Sequence, residues 1–176
     1  FLRHCRVEPR DVVPNSLALY EVFLQSPDCR PGETTLLADI GAENIELIIV
    51  EDRRLSFARN IGGGGKTCSE AIAATLRLPL PDAEKAKLES PDLIALREGD
   101  AKSDGVRLAL LNACGQIDSL ITSSINFART QTKRPLAVGK VLLSGGAARL
   151  PGFDRYLAQT LKMPVEAFNP FAGWDL

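Results

Sequence analysis

The stretch "LLADIGAENIELIIV", Leu36 to Val50, reads as two strands with a bend between them. In its second half, alternation sets Ile45, Leu47 and Ile49 on one face and Ile48 and Val50 on the other. Apolar residues on both faces imply a strand covered on both sides, as in a layered α/β domain. The bend holds an acid and, two residues on, a glycine: Asp39 and Gly41. An Asx-type turn would account for the acid. The alternative is that Asp39 approaches Mg2+ or its water while Gly41 leaves room for a phosphate.

Upstream, "SLALYEVFLQS" suggests a helix capped by Asn15 or Ser16, with Leu17, Leu19, Tyr20, Phe23 and Leu24 forming its apolar face. "PDCRPGE" breaks the chain. A first strand is expected from about Thr34 to Ala38. After Val50, "EDRR" turns the chain and "LSFARNI" returns, with Leu55 and Phe57 on one face. Short connections make these strands an antiparallel meander.

"GGGGKTCSEAIAATLRL" is a glycine loop entering a helix, and "PDAEKAKLE" starts another. From Gly105 to Thr130, Val106, Leu110, Cys114, Ile117, Ile121, Ile125 and Ala128 trace one helical stripe. "KVLLS" is a short buried strand, "GGAARLPG" a loop, "FDRYLAQTLK" a helix and "PVEAF" a last strand. The order predicts a mixed five-stranded α/β sheet, a meander plus two parallel strands, flanked by helices.

Bulk properties narrow the function. The 176 residues suit one domain. A net charge of −1 argues against an extended nucleic-acid face. Cys5, Cys29, Cys68 and Cys114 form no C-x-x-C pair, and His4 is the only histidine, so a structural zinc site is not expected. Cys68 and Cys114 read as buried or half-buried thiols, suiting a reducing compartment. No apolar run approaches the roughly 20 residues that span a bilayer. The start, "FLRHCRVEPRDVVP", has no methionine and no signal pattern, and reads as a helix end in a piece of a longer protein.

Four segments are candidates for chemistry. Gly65-Lys66-Thr67 ends like a Walker A loop, but the full pattern requires glycine where Asn60 stands, and the preceding strand returns from a hairpin. A flexible strand-to-helix link is the plainer reading. Asp39-Ile40-Gly41 is the second segment. Leu143-Ser144-Gly145-Gly146 is the third: two residues without Cβ let a planar ring lie against the backbone. In the fourth, Glu84 and Lys87 are three apart on a helix, either a solvated ion pair or a polar pair that hydrogen-bonds a ribose.

In this order the segments resemble the second half of actin-like ATPases, of the PilM/FtsA branch. That branch carries D-I-G in its second phosphate loop, matched by Asp39, Ile40 and Gly41. R-x-I-x-x-G-G-x-x-L-T-x-x-I-A follows, matched by Arg59, Ile61, Gly64, Gly65, Ile72 and Ala73, with Cys68-Ser69 replacing Leu-Thr. A-E-x-x-K is Ala83, Glu84 and Lys87; the adenosine motif is Leu143 to Gly146, followed by Leu150 and Gly152. "SLAL" at 16–19 and "NPF" at 169–171 look like PilM proteins of type IV pilus assembly.

The resemblance implies an RNase H-like, actin-type ATPase subdomain at 34–176, its helical part at 61–131, after a helical lead-in at 1–33 from a missing N-terminal half. It implies a cytoplasmic protein, peripheral at the inner membrane through PilN-like partners, that binds ATP and Mg2+ only when both halves are present. Asp39 would serve near Mg2+ as metal-facing and catalytic residue. Gly41 would let the phosphates approach, Glu84 and Lys87 would hold the ribose, Gly145 and Gly146 would lie against the adenine, and Gly64 and Gly65 would also belong to the nucleotide site. Asn44 stands where many relatives carry Thr or Ser, which suits an alternative: a catalytically degenerate scaffold of a pilus or type II secretion platform. A sugar kinase or chaperone ATPase is the third possibility.

Overall fold

The computed structural model describes residues 5, 8, 10–94, 101–132 and 135–171. The helix end expected at the very start of the chain, with His4, lies outside the described residues. The elements run α1 (Asn15–Leu24), β1 (Thr34–Ile40), β2 (Asn44–Glu51), β3 (Arg54–Gly62), α2 (Gly65–Leu76), α3 (Leu80–Leu88) and α4 (Ala101–Gln131). Then come β4 (Lys140–Ser144), a 3-10 turn (Ala147–Arg149), α5 (Phe153–Leu161) and β5 (Val165–Ala167). The strands form one five-stranded sheet in the order β3-β2-β1-β4-β5. The first three are an antiparallel meander; β4 lies parallel to β1, and β5 parallel to β4.

The two-sided burial expected of β2 follows from this layering. Ile45, Leu47 and Ile49 join Leu36, Ala38 and Ile40 of β1 in the larger core under α2, α4 and α5. Ile48 and Val50 face the other way with Leu37, Leu142, Phe23 and Phe168 in a smaller core beneath α1. All seven stripe residues of α4 are buried in the larger core. Its 31 residues run about 46 Å at about 1.5 Å per residue, long enough to cross the sheet and meet both α2 and α5. Cys68 and Cys114 meet there as buried free thiols; their mutual hydrogen bond and then burial push the Cys114 thiol up.

Three local expectations need correction. Asp39 is not a turn residue: β1 continues through Ile40, and Asp39 sits inside it, opposite Glu46 of β2 and Ser144 of β4. The ladder persists because Ile40 and Ile45 still pair in the core, which moves the bend to residues 41–43. Leu55 and Phe57 do not share a face. Leu55 pairs with Val50 and Phe57 with Ile49, so Ser56 is an extra residue at a β-bulge and the two flank opposite sides of the sheet. Finally, α1 starts after Pro14 with no side-chain cap; the Pro14 carbonyl accepts from the Leu17 and Ala18 amides. Proline already holds the extended φ that an entry to a helix uses.

The β2–β3 hairpin tip, Asp52-Arg53, takes positive φ at both residues (48° and 63°), the twist that two-residue hairpins favour. Both side chains hold the tip down. Asp52 Oδ1 accepts from the Gly32 amide at 2.8 Å. Arg53 donates to the Leu24 and Cys29 carbonyls at 3.2 and 3.3 Å, closing the C-terminal end of α1.

Candidate functional site

The carboxyl ends of β1 and β4, the bend at 41–43 and the start of α2 meet at one end of the sheet. Backbone bonds hold them together: the Gly65 amide donates to the Gly41 carbonyl at 2.9 Å, Lys66 to Ala42 at 2.8 Å, and Gly63 to Glu43 at 2.9 Å. Gly64, with φ +124°, makes this approach possible, because a Cβ there would fall on the Gly41 carbonyl oxygen. Gly145, with φ +87°, is demanded in the same way by the backbone of Ile40. Gly146 differs: a Cβ there would meet nothing within 4 Å.

A groove of about 390 Å3 opens at this junction, within the range of about 300–1,000 Å3 usual for small-molecule sites. Gly41, Gly65, Glu84, Lys87, Gly146 and Arg149 are among its lining residues. Five of the positions singled out in the sequence therefore share one hollow. Asp39 and Gly145 do not line it. They line an adjoining hollow of about 740 Å3 on the α1 side, together with Glu46, Ser144 and Asn15. The reason is alternation along β1: Asp39 lies on the face of Leu37, opposite Ala38 and Ile40. Arg149 borders both hollows.

Glu84 and Lys87 are not a solvated pair. The Lys87 side chain is 11% exposed, and its ammonium donates to Glu84 Oε2 at 2.7 Å, Ser69 Oγ at 3.0 Å and the Gly65 carbonyl at 3.1 Å. An ammonium has three hydrogens, and protein acceptors take all of them. Ser69 Oγ also hydrogen-bonds Glu84 Oε2. Lys87 therefore anchors Glu84 to the first turn of α2, while Glu84, with 47% of its side chain exposed, stays reachable. Hydrogen bonds from Lys87 and then Ser69 hold the Glu84 carboxyl below its ordinary value, against a smaller opposing effect of burial.

In the adjoining hollow, Ser144 Oγ donates to Asp39 Oδ1 at 2.8 Å. Glu46 stands directly across from Asp39 and accepts from Asn60 Nδ2 at 2.7 Å. Among the described residues no cluster of three or more His, Cys, Asp or Glu forms a metal cage. Lys66, the residue that gave the Walker-like appearance, pairs with Glu43 at 2.9 Å on an exposed surface, and β3 before it is an antiparallel edge strand.

Sequence reading missed Ser69, Glu46 and Arg149. Glu46 left a signal, being the one charged residue inside a strand otherwise apolar on both faces. Ser69 left a weaker one, standing four residues, about one helical turn, after Gly65. Arg149 left none, because only the 3-10 turn brings it between the hollows.

Comparison with known proteins gives this geometry a context. A PilM-PilN type IV pilus biogenesis complex aligns with a TM-score of 0.72 at 25% identity, covering 97% of this chain and 46% of that one. MreB5 of Spiroplasma citri bound to ADP aligns at 0.71 and 16% identity, covering 96% and 58%. Ta0583, an archaeal actin homolog, aligns at 0.62 and 13% identity, covering 90% and 50%. The fold is the actin type, and the chain spans about half the length of these proteins. No curated protein sequence matches the chain. No helix among the described residues is long and apolar enough to cross a membrane. The family model for the type IV pilus assembly protein PilM matches residues 15–176, and the chain belongs to that family.

Proposed function

We propose that this chain forms one wall of a nucleotide cleft in a PilM-like protein, and that the cleft takes ATP with Mg2+ only when a second actin-like half closes it. The observation that carries the reading is the convergence of Gly41, Gly65, Glu84, Lys87 and Gly146, from separate segments, on one groove. The residues fit the ligand. Gly146 leaves open space for a flat ring, and Glu84 offers an anchored carboxylate to ribose hydroxyls. Lys87 serves by positioning Glu84. Gly41 keeps the bend free of a side chain where phosphates would pass, and Gly64 and Gly145 let the backbones close up around it. Arg149 adds a cation between the two hollows.

Asp39 and Glu46 would face the Mg2+ side. Two carboxylates, with no third clustered beside them among the described residues, would suit Mg2+, an ion usually held by one or two carboxylates together with substrate phosphates. The ion supplies charge neutralisation for phosphoryl chemistry; the chain supplies position. Asp39 is held by Ser144 and so is oriented before any ligand arrives. The ADP in the similar MreB5 structure and the PilN chain in the PilM-PilN complex support nucleotide as ligand and a PilN-like inner-membrane protein as partner. In this reading the complete protein works on the cytoplasmic side, peripheral to the inner membrane.

One observation favours the scaffold alternative. The Lys87 ammonium and the first amides of α2 are already bonded to protein groups, which leaves fewer donors for phosphate. Calorimetry separates the readings. The complete protein should bind MgATP at micromolar concentration, and these 176 residues alone should bind it negligibly. Micromolar binding by the isolated chain would overturn the one-wall reading. Asp39→Asn leaving both nucleotide binding and pilus assembly unchanged would establish the scaffold.

A further inference from the structure

The two edges of the sheet are unlike. β5 is 3 residues long, too short to template much pairing. β3, at the opposite edge, is 9 residues long, contains neither proline nor lysine, two residues that commonly blunt an edge, and runs regularly from Phe57 to Gly62 beyond its bulge at Ser56. Its outer side pairs with no strand among the described residues. Beside it lies an apolar step. The rings of Phe57 on β3 and Phe127 on α4 are 6.1 Å apart, and Phe127 is 49% exposed. Edge charges ordinarily discourage pairing, but Arg59 is laid over the Phe127 ring at 5.8 Å and donates to Ser124 Oγ at 3.2 Å. Neither Arg54 nor Arg59 forms an ion pair with a described residue.

We infer that the free edge of β3 docks an extended acidic segment of a partner protein, which adds to the sheet as a further strand. Backbone N–H and C=O groups of β3 supply the ladder, and alternate side chains supply the choice of partner. Carboxylates reach Arg54 and Arg59, and an apolar side chain between them rests on Phe57 and Phe127. Charge selects this occupant, because Arg54 and Arg59 offer guanidiniums that no carboxylate among the described residues neutralises, and β3 itself carries no carboxylate that a second copy could bring to them. The inference is independent of the nucleotide reading, since none of these residues lines the groove.

The test uses the complete polypeptide and two labelled peptides, Thr-Glu-Thr-Phe-Thr-Glu-Thr-Val, which sets Glu, Phe and Glu on one face, and its counterpart with lysine in place of glutamate, with anisotropy and amide hydrogen exchange as readouts. The acidic peptide should bind and the basic one should not. Binding should weaken with salt, and residues 57–62, beyond the bulge, should gain protection. The double variant Arg54→Glu/Arg59→Glu should lose about tenfold or more in affinity, about 1.4 kcal/mol, while still melting cooperatively above the assay temperature. Equal binding of both peptides, an unaffected double variant, or protection elsewhere would overturn the inference. So would β3 amides already protected without peptide, whether a doubled mass shows that a second copy covers them or an unchanged mass shows that the rest of the polypeptide does.

Discussion

Lys87 holds Glu84 in place: its ammonium lies 2.7 Å from Glu84 Oε2, and the same ammonium reaches Ser69 and the Gly65 carbonyl at the head of α2. A helix pair three residues apart thus becomes a brace between α3 and α2. The brace sets the groove wall, and its parts can be tested one at a time.

The brace should be visible in the pH dependence of stability. Glu84 has a folded-state value below its unfolded one, caused first by Lys87 and then by Ser69. A depressed carboxyl contributes stability that is present above its unfolded value and lost as pH falls through the folded value. Melting midpoints should therefore drop on acidification from about pH 5 towards pH 3. Glu84→Gln should flatten that part of the profile; an unchanged slope would show that Glu84 does not carry it. Lys87→Met, which strips partners from buried acceptors, should cost about 1–3 kcal/mol in a urea titration.

Gly64 and Gly146 should respond in opposite ways to one added methyl group. Gly64→Ala forces a left-handed backbone and a clash on the Gly41 carbonyl, and should cost more than about 1 kcal/mol. Gly146 has φ −65° and open space, so Gly146→Ala should leave stability within about 0.5 kcal/mol. In the complete protein the Gly146 variant should weaken MgATP binding about tenfold. Equal stability losses in the two variants would refute the packing account.

Asp39→Asn and Glu46→Gln should act on the metal dependence of nucleotide binding. Asn keeps an oxygen for Ser144, so the fold should be preserved. In the complete protein, the gain in ATP affinity on adding Mg2+ should shrink in both variants, while affinity measured in EDTA stays constant. A loss in EDTA as well would point to a damaged groove rather than to the ion.

Within α4, Leu110 is fully buried and Leu108 is mostly exposed. Leu110→Ala should cost about 2–5 kcal/mol by the lost transfer energy and the cavity left behind. Leu108→Ala should stay within about 0.5 kcal/mol. Urea midpoints of the two variants check the orientation of the helix directly.

Much of the architecture was legible because it rests on short-range periodicity. A period of two in Ile45 to Val50 announced a strand buried on both faces, and steps of three and four from Val106 to Ala128 announced the face of α4 that meets the sheet. The extra residue at Ser56 was hidden, because a bulge is a property of two paired strands and leaves no trace in the periodicity of one. The same holds for Asp39. Its neighbours looked like a turn, yet pairing with both Glu46 and Ser144 draws it into the ladder.

From its sequence alone this protein has its elements, their order and the glycines that closely packed backbones demand, since each depends on residues near one another in the chain. Tertiary structure alone decided which candidates share a hollow, placing Glu84 and Lys87 beside Gly41 and Gly146 while turning Asp39 to the α1 side with Glu46. Strand register and the alternation of side chains across the sheet make that choice, and both are settled only when β1, β2 and β4 lie side by side.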